Sequence, residues 1–334
     1  MKHIINFSKE KFLIIKGYGA AITAAVLFGS VSSLSKPALS DIDPVLLSSM
    51  VYLIAATTMI PIIKVITRQK NIIIPSIFSL KREDYFLITA IALFGAVIAP
   101  TLYFFGLKQA LASNASVLLN GEMAFTVLFA ILFFKEKLDR IGYLGIVLIF
   151  VGLTIVSAGN SLPWTWILLP APSSLNSLQE SISNFRVGFG DMLILLSTLF
   201  WAVDNNISKI LTQRVNIARI VQLKSAIGGT ILLLITVLFV PQFIPIVKDI
   251  NLSQIPNIVA LGVGGFAASI FFFLYGLRII GTVKTIIIFS TSSIFGVVFA
   301  ALLLNESIDV YKIGVSIGII ISGIYMVNKR SIKK

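Results

Sequence analysis

Ten apolar stretches divide this chain, at about 17–36, 44–66, 85–107, 114–134, 140–158, 188–209, 218–240, 256–279, 284–304 and 309–327. Each approaches the ~20 residues that an α-helix needs to cross a hydrocarbon core ~30 Å thick. Charged residues gather in the short segments between them. Within a bilayer a helix satisfies its own backbone hydrogen bonds, so the pattern predicts an all-α polytopic membrane protein with ten transmembrane helices.

The pattern also repeats. Residues 105–157 return as 275–328: Phe105, Gly106 and Leu107 become Tyr275, Gly276 and Leu277, while Glu136 and Asp139 become Glu306 and Asp309. Gly17 and Gly19 correspond to Gly188 and Gly190, Leu27-Phe28 to Leu199-Phe200, and Ser35-Lys36 to Ser208-Lys209. Each copy holds five stretches. Five is odd, so the second copy must enter the membrane from the opposite side, as an inverted repeat. The expected organisation is a tail over 1–16, a first five-helix repeat over 17–158 and a linker over 159–187. A second repeat over 188–327 and a short tail over 328–334 complete it. Duplicated hydrophobic halves mark secondary transporters, whose substrate site lies where the halves meet.

Composition agrees with a bilayer setting. The chain is 57% hydrophobic and 12% charged, with a mean hydropathy of +0.98; a soluble domain is nearer a quarter charged. The net charge of +13 suggests nucleic acid in a soluble protein, but cytoplasmic loops of membrane proteins also collect Lys and Arg. With the N-terminus inside, most of the 27 basic residues fall in inner segments. Lys36, Lys108, Arg186, Lys248 and Lys312 fall outside, and Lys224 lies within a span. Both termini are therefore expected in the cytoplasm, in a plasma or inner membrane, and no nucleic-acid partner is expected.

The repeat supports this orientation. Segment 135–140 carries Lys135, Lys137 and Arg140, and its copy 305–310 has lost all three cations while keeping both acids. In the linker, Pro163, Pro170 and Pro172 oppose a spanning helix, and Trp164 and Trp166 suit an outer interface. The linker serves either as a tether or as a lid. Residues 4–16 form either a short interfacial helix or a mobile tail. Their basic character resembles a signal peptide, but the apolar stretch that follows is long and belongs to the repeat, so it is read as a retained helix.

Together the ten-helix plan and its text resemble the EamA-type members of the drug/metabolite transporter superfamily. The matching residues run from Phe105 to Ala115, from Ser116 to Glu122 and from Phe133 to Glu136. The resemblance implies a Glu-Pro pair in the fourth helix ahead of a closing Gly-Glu. Glu122 and Glu136 match the two acids, while Met123 replaces the proline and Lys135 the glycine. In the second half Ser292 stands where the first acid would be, and Glu306 is kept.

Glu122 is the leading site candidate, because a carboxylate within the hydrocarbon costs several kcal/mol unless paired, hydrated or protonated. It is a proton carrier, or a seat for a cationic group, or a protonated glutamate bonded to a neighbouring helix. Asn120 and Ser292 are candidate polar contacts. Tyr103, Trp201 and Tyr275 are candidate pocket aromatics, because each neighbours polar or glycine positions. Either Asp204 and Lys224 form a gating ion pair, or Asp204 and Lys209 are snorkelling side chains near a helix end. Ser290, Thr291, Ser292 and Ser293 cannot all face one way on a helix, so some line a cavity and the rest bond their own backbone. Pro61, Pro100 and the glycines at 262, 264 and 265 permit kinks.

No cysteine is present and the single histidine is His3, which excludes thiolate metal sites and an intramembrane histidine relay. No cofactor, metal or nucleotide motif is legible, and an enzyme is not expected. The chain reads as a secondary transporter, exporting or exchanging a small metabolite such as an amino acid or amine by alternating access. Protons are a candidate coupling ion. The alternatives are a channel, or a membrane-embedded enzyme acting on a lipid-linked substrate.

Overall fold

The computed structural model describes residues 2–70, 80–134, 139–157, 188–240 and 251–330. The expected linker and Glu136 lie outside the described residues. Helix α1, Lys2–Ala38, is continuous and includes the basic segment 4–16. At 1.5 Å per residue it is about 55 Å long, well beyond a ~30 Å core. Helix α2, Pro44–Lys70, runs through Pro61 without interruption.

The third stretch is a composite: α3, Arg82–Ala92, then a π-helical segment, Leu93–Ile98, then α4, Ala99–Gln109. The fourth is broken into α5, Ala112–Leu118, and α6, Gly121–Phe134. Helix α7, Arg140–Ser157, follows. The second half opens with α8, Phe189–Thr212, and α9, Ile217–Phe239. A 3-10 turn at Leu252–Gln254 leads into α10, Ile255–Ala260, a second π-helical segment, Leu261–Ala268, and α11, Ser269–Ile280. Two further pieces, α12, Thr282–Phe289, and α13, Ser292–Leu304, precede α14, Val310–Arg330.

The described secondary structure is all-helical, and seven helices among the described residues are long and apolar enough to cross a membrane. The other three expected stretches are helical but differ in kind. The fourth is broken after Leu118, the fifth is short, and the sixth carries Asp191, Asp204, Asn205 and Asn206 along its length.

Packing between the halves is reciprocal. Helix α2 packs on α9 and α7 on α14; α1 packs on α11 and α13, while α8 packs on α4 and α6. Glycines permit the closest crossings. A Cβ on Gly190 would lie 2.7 Å from the Gly106 carbonyl oxygen, and one on Gly145 would lie 2.6 Å from that of Gly323. Small residues matter here because association within lipid depends on close packing and not on the hydrophobic effect. The π-helical segments occupy matching places in the two copies, as do the breaks at residues 119–120 and 290–291.

Candidate functional site

The first π-helical segment creates an unfilled acceptor. The Ala99 amide, which in an α-helix bonds Gly95, instead bonds the Phe94 carbonyl. The next amide along belongs to Pro100, which has no N–H. The Gly95 carbonyl is thereby left to side chains from two other helices: Tyr52 donates its hydroxyl at 2.7 Å and Trp201 its indole N–H at 3.1 Å. π-Helical turns recur at functional sites for this kind of reason.

Tyr52 and Trp201 line a central pocket of about 40 Å³, with Glu122, Asp204, Asn205, Ser208 and Lys224 as its polar members. Phe28, Phe266, Phe273 and Phe289 supply aromatic walls. Lys224, buried on α9, donates to the Asp204 carboxylate on α8, whose other oxygen accepts the Ser208 hydroxyl at 3.1 Å. Glu122 accepts from the Asn205 amide, which joins the start of α6 to α8. Gly95 allows this approach, since any Cβ there would collide with Asp204. With Glu122 ionised the cluster carries one net negative charge; with Glu122 protonated it is neutral.

Two more cavities are present, of which the first shares Glu122 and Phe289 with the central pocket. A narrow one of about 10 Å³ is lined by Asn120, Glu122, Phe289, Ser290 and Ser292. A third of about 140 Å³ is lined by Asn120, Ser290, Thr291, Ser293 and a group of isoleucines. The structure therefore brings Glu122, Trp201, Asp204 and Lys224 to one pocket and places Asn120 and Ser292 beside it. Tyr103 is fully buried, shares a 2.8 Å hydrogen bond with Ser32 and packs at a tilt against Trp201, with 5.4 Å between ring centroids. It lines none of these cavities, and neither does Tyr275, which packs at the edge of the core. Ser290, Thr291 and Ser293 donate to carbonyls three residues back.

Sequence reasoning passed over Asn205 as a partner of Glu122, the phenylalanine walls, and Gly95. The run Asp204-Asn205-Asn206 was a usable signal for the first. The phenylalanines carried none, because lipid-facing and pocket-facing rings read alike.

At one end of the bundle, charges hold the break between α4 and α5. Lys36 donates to the carbonyls of Leu107 at 2.7 Å, Lys108 at 3.3 Å, and Ala110. Glu306 accepts the amides of Ala112 at 2.8 Å and Ser113 at 3.0 Å. A cation thus meets a helix C-terminus and an anion a helix N-terminus, as the helix dipole favours. Among the described residues no group of three or more His, Cys, Asp or Glu is placed to hold a metal ion.

Comparison with known proteins adds the following. The sequence profile of the EamA-like transporter family matches residues 15–158 and again 188–329. An uncharacterized transporter of Methanothermobacter thermautotrophicus is 28% identical over 315 residues, spanning 93% of this chain and 85% of that protein. An uncharacterized transporter of Synechocystis sp. is 24% identical over 160 residues, spanning 48% of this chain and 42% of that protein. A solved crystal structure shares the fold at a TM-score of 0.64 and 15% identity, covering 94% of this chain and 96% of the other.

Proposed function

This chain belongs to the EamA-like transporter family and is a multi-pass membrane transporter, and we propose that it moves a small cationic or zwitterionic metabolite by alternating access. The reading takes the chain as ten spans in two inverted five-helix repeats, with both termini in the cytoplasm of a plasma or inner membrane. The cargo is an amino acid or amine, exported or exchanged. One observation carries it: the broken helix of each half ends beside the central pocket where Glu122, Asn205, Asp204 and Lys224 converge. Ionisable groups inside a membrane are expensive to keep and mark substrate or proton pathways by default.

In this reading Glu122 faces the cargo's ammonium group and Trp201 and Tyr52 offer aromatic faces, which attract cations. The Asp204–Lys224 pair holds α8 to α9 and rearranges as the halves rock. Protons couple to transport through Glu122: a proton there neutralises the pocket and releases the cation, and its loss restores the site. What supports this is the single uncompensated charge of the cluster. No enzymatic chemistry is needed for any step.

The test uses the chain's lack of cysteine. Single replacements Ser208→Cys and Ser269→Cys place thiols at the central pocket. In proteoliposomes, an impermeant maleimide is expected to reach each from either side in turn, with cargo protecting both. Counterflow of a panel of labelled amines and amino acids is expected to saturate. Labelling from neither side in protein that still catalyses counterflow would exclude the central pocket as the path, and flux without saturation would favour a channel. Glu122→Gln, which fixes the neutral state, is expected to abolish accumulation driven by a pH gradient and to weaken exchange; uphill transport by that variant would remove Glu122 from coupling.

A further inference from the structure

Two groups of helices face each other across the central pocket. Helix α1 packs with α11 and α13, and α8 packs with α4 and α6. Phe28 of α1 and Phe273 of α11 stand on one wall of the pocket, with Glu122 of α6 and Trp201 of α8 on the other. On one side of the pocket a ladder of bonds ties the groups together. Beyond Phe28, α1 reaches Ser32, whose hydroxyl bonds Tyr103 of α4 at 2.8 Å and Ser116 of α5 at 3.0 Å. One turn further, Lys36 donates to the Leu107 and Ala110 carbonyls at the end of α4. From the other neighbour in its group, α13, comes the outermost tie, in which Glu306 accepts the Ala112 and Ser113 amides. The ladder climbs away from the N-terminal end of α1, toward the face that the reading above makes external.

The short helix α5 is what these bonds hold. The chain is broken on both sides of it, at Ala110–Leu111 and at residues 119–120, and six of its seven residues are buried. Seven residues are too few for a helix that stands alone, so α5 keeps its place through its neighbours. It runs from the external end of the bundle to the narrow cavity lined by Asn120 and Glu122, and so occupies the space between that end and the site. Helix α13 packs along it, then ends in Asn305, a left-handed residue with φ of 50°. Asparagine tolerates that conformation, and the turn delivers Glu306 to the α5 amides.

We propose that Lys36 and Glu306 are the gate residues of the external side. Together they latch α4 and α5 to the group of α1, α11 and α13, and cargo passes that end only when the latch is released. The conformation described is therefore the one closed to the outside. This rests on the reading of the central pocket as the transport site. The chemistry suits a latch. Each bond joins a charged side chain to backbone, and both side chains are half-buried, so water replaces the bonds when the end opens and the net cost is small. A buried ion pair in the same place would hold the groups shut, because parting it leaves uncompensated charge away from water.

Spin labels on paired cysteines in the full, otherwise cysteine-free chain test this in proteoliposomes. Met192→Cys with Leu302→Cys spans the two groups at the external end, and Ile15→Cys with Gln213→Cys spans them at the other; all four positions are exposed. Glu306→Gln and Lys36→Met are each expected to raise the population with a longer Met192–Leu302 distance about tenfold, the factor for losing a charge-assisted bond. The Ile15–Gln213 distance is expected to shorten in the same population. Asp309→Ala is the control, since its carboxylate accepts the Lys312 amide at 3.0 Å within the start of α14 and ties the two groups at no point. That variant is expected to leave both distances unmoved. External distances that broaden while Ile15–Gln213 stays fixed would show local fraying of α5 and overturn the gate. So would distances in both variants that match those of Asp309→Ala. Counterflow of the labelled amines and amino acids in the same vesicles keeps two failures apart. Protein that carries none of the panel removes the transport reading and this gate with it, whereas protein that transports with unmoved distances removes the gate alone.

Discussion

The backbone carbonyl of Gly95 accepts the indole N–H of Trp201 at 3.1 Å because its own helix offers it no donor. The Ala99 amide is committed to Phe94, and Pro100 has none to give. One proline thus sets the position of an aromatic wall of the pocket from more than a hundred residues away.

Pro100→Ala restores an N–H that competes for this carbonyl within the helix. Trp201 and Tyr52 are then expected to lose a shared acceptor, and the indole to become more mobile. Fluorescence of Trp201, read with Trp164 and Trp166 replaced by phenylalanine, checks this. The variant should show a shifted emission maximum and lower anisotropy, and unchanged spectra would mean that packing alone holds the ring.

Gly95 itself has a second duty, since a methyl group there runs into the Asp204 carboxylate. Gly95→Ala is expected to destabilise the protein by about 1–3 kcal/mol, the usual range for overpacking a tight site. Gly314→Ala is the control, because nothing lies within 4 Å of its Cβ position. Alanine is the better helix former by up to ~1 kcal/mol, so that variant should melt at the same temperature or higher. Thermal unfolding in one detergent compares the two directly.

The relationship between Gly95 and Asp204 was not legible in the sequence, and the reason is physical. Hydrophobic run lengths report how far a helix extends, so Pro44–Lys70 and Val310–Arg330 lie close to the stretches that suggested them. Internal similarity places equivalent elements, and the paired π-helical segments and paired breaks fall where the copies align. Neither signal carries the rotation of a helix about its axis. Tyr103 and Trp201 therefore looked alike in sequence, although one is locked to Ser32 and the other lines the pocket. Glu122 stood out because a carboxylate in an apolar run is costly anywhere. Its partner Asn205 lies on another helix, and only tertiary packing joins them.

Glu306 offers a test at the end of the bundle. Its two oxygens hold the Ala112 and Ser113 amides, and Lys36 holds carbonyls across the same break. Glu306→Gln removes the charge and one of the two acceptors while keeping the shape. The expected cost is about 1–2 kcal/mol, from the loss of charge-assisted bonds at a helix N-terminus. Hydrogen exchange at Ala112 and Ser113 should quicken by about tenfold, with exchange in α7 and α14 unchanged. Uniform quickening would instead indicate general loss of stability.

The ion pair of Lys224 and Asp204 separates structural from functional accounts of the cluster. Both side chains are almost wholly buried, so each has lost its hydration and depends on the other. Removing one partner leaves an uncompensated buried charge, typically a loss of about 3–5 kcal/mol, whereas removing both together often costs far less. Asp204→Asn and Lys224→Met are therefore each expected to lower the yield of folded protein sharply, and the double variant to recover most of it. A double-mutant cycle in thermal stability measures the coupling. Transport decides the role: if the pair only fastens α8 to α9, the stable double variant still exchanges cargo. If the pair rearranges during the cycle, that variant folds but does not transport, and the expectation here is the second outcome.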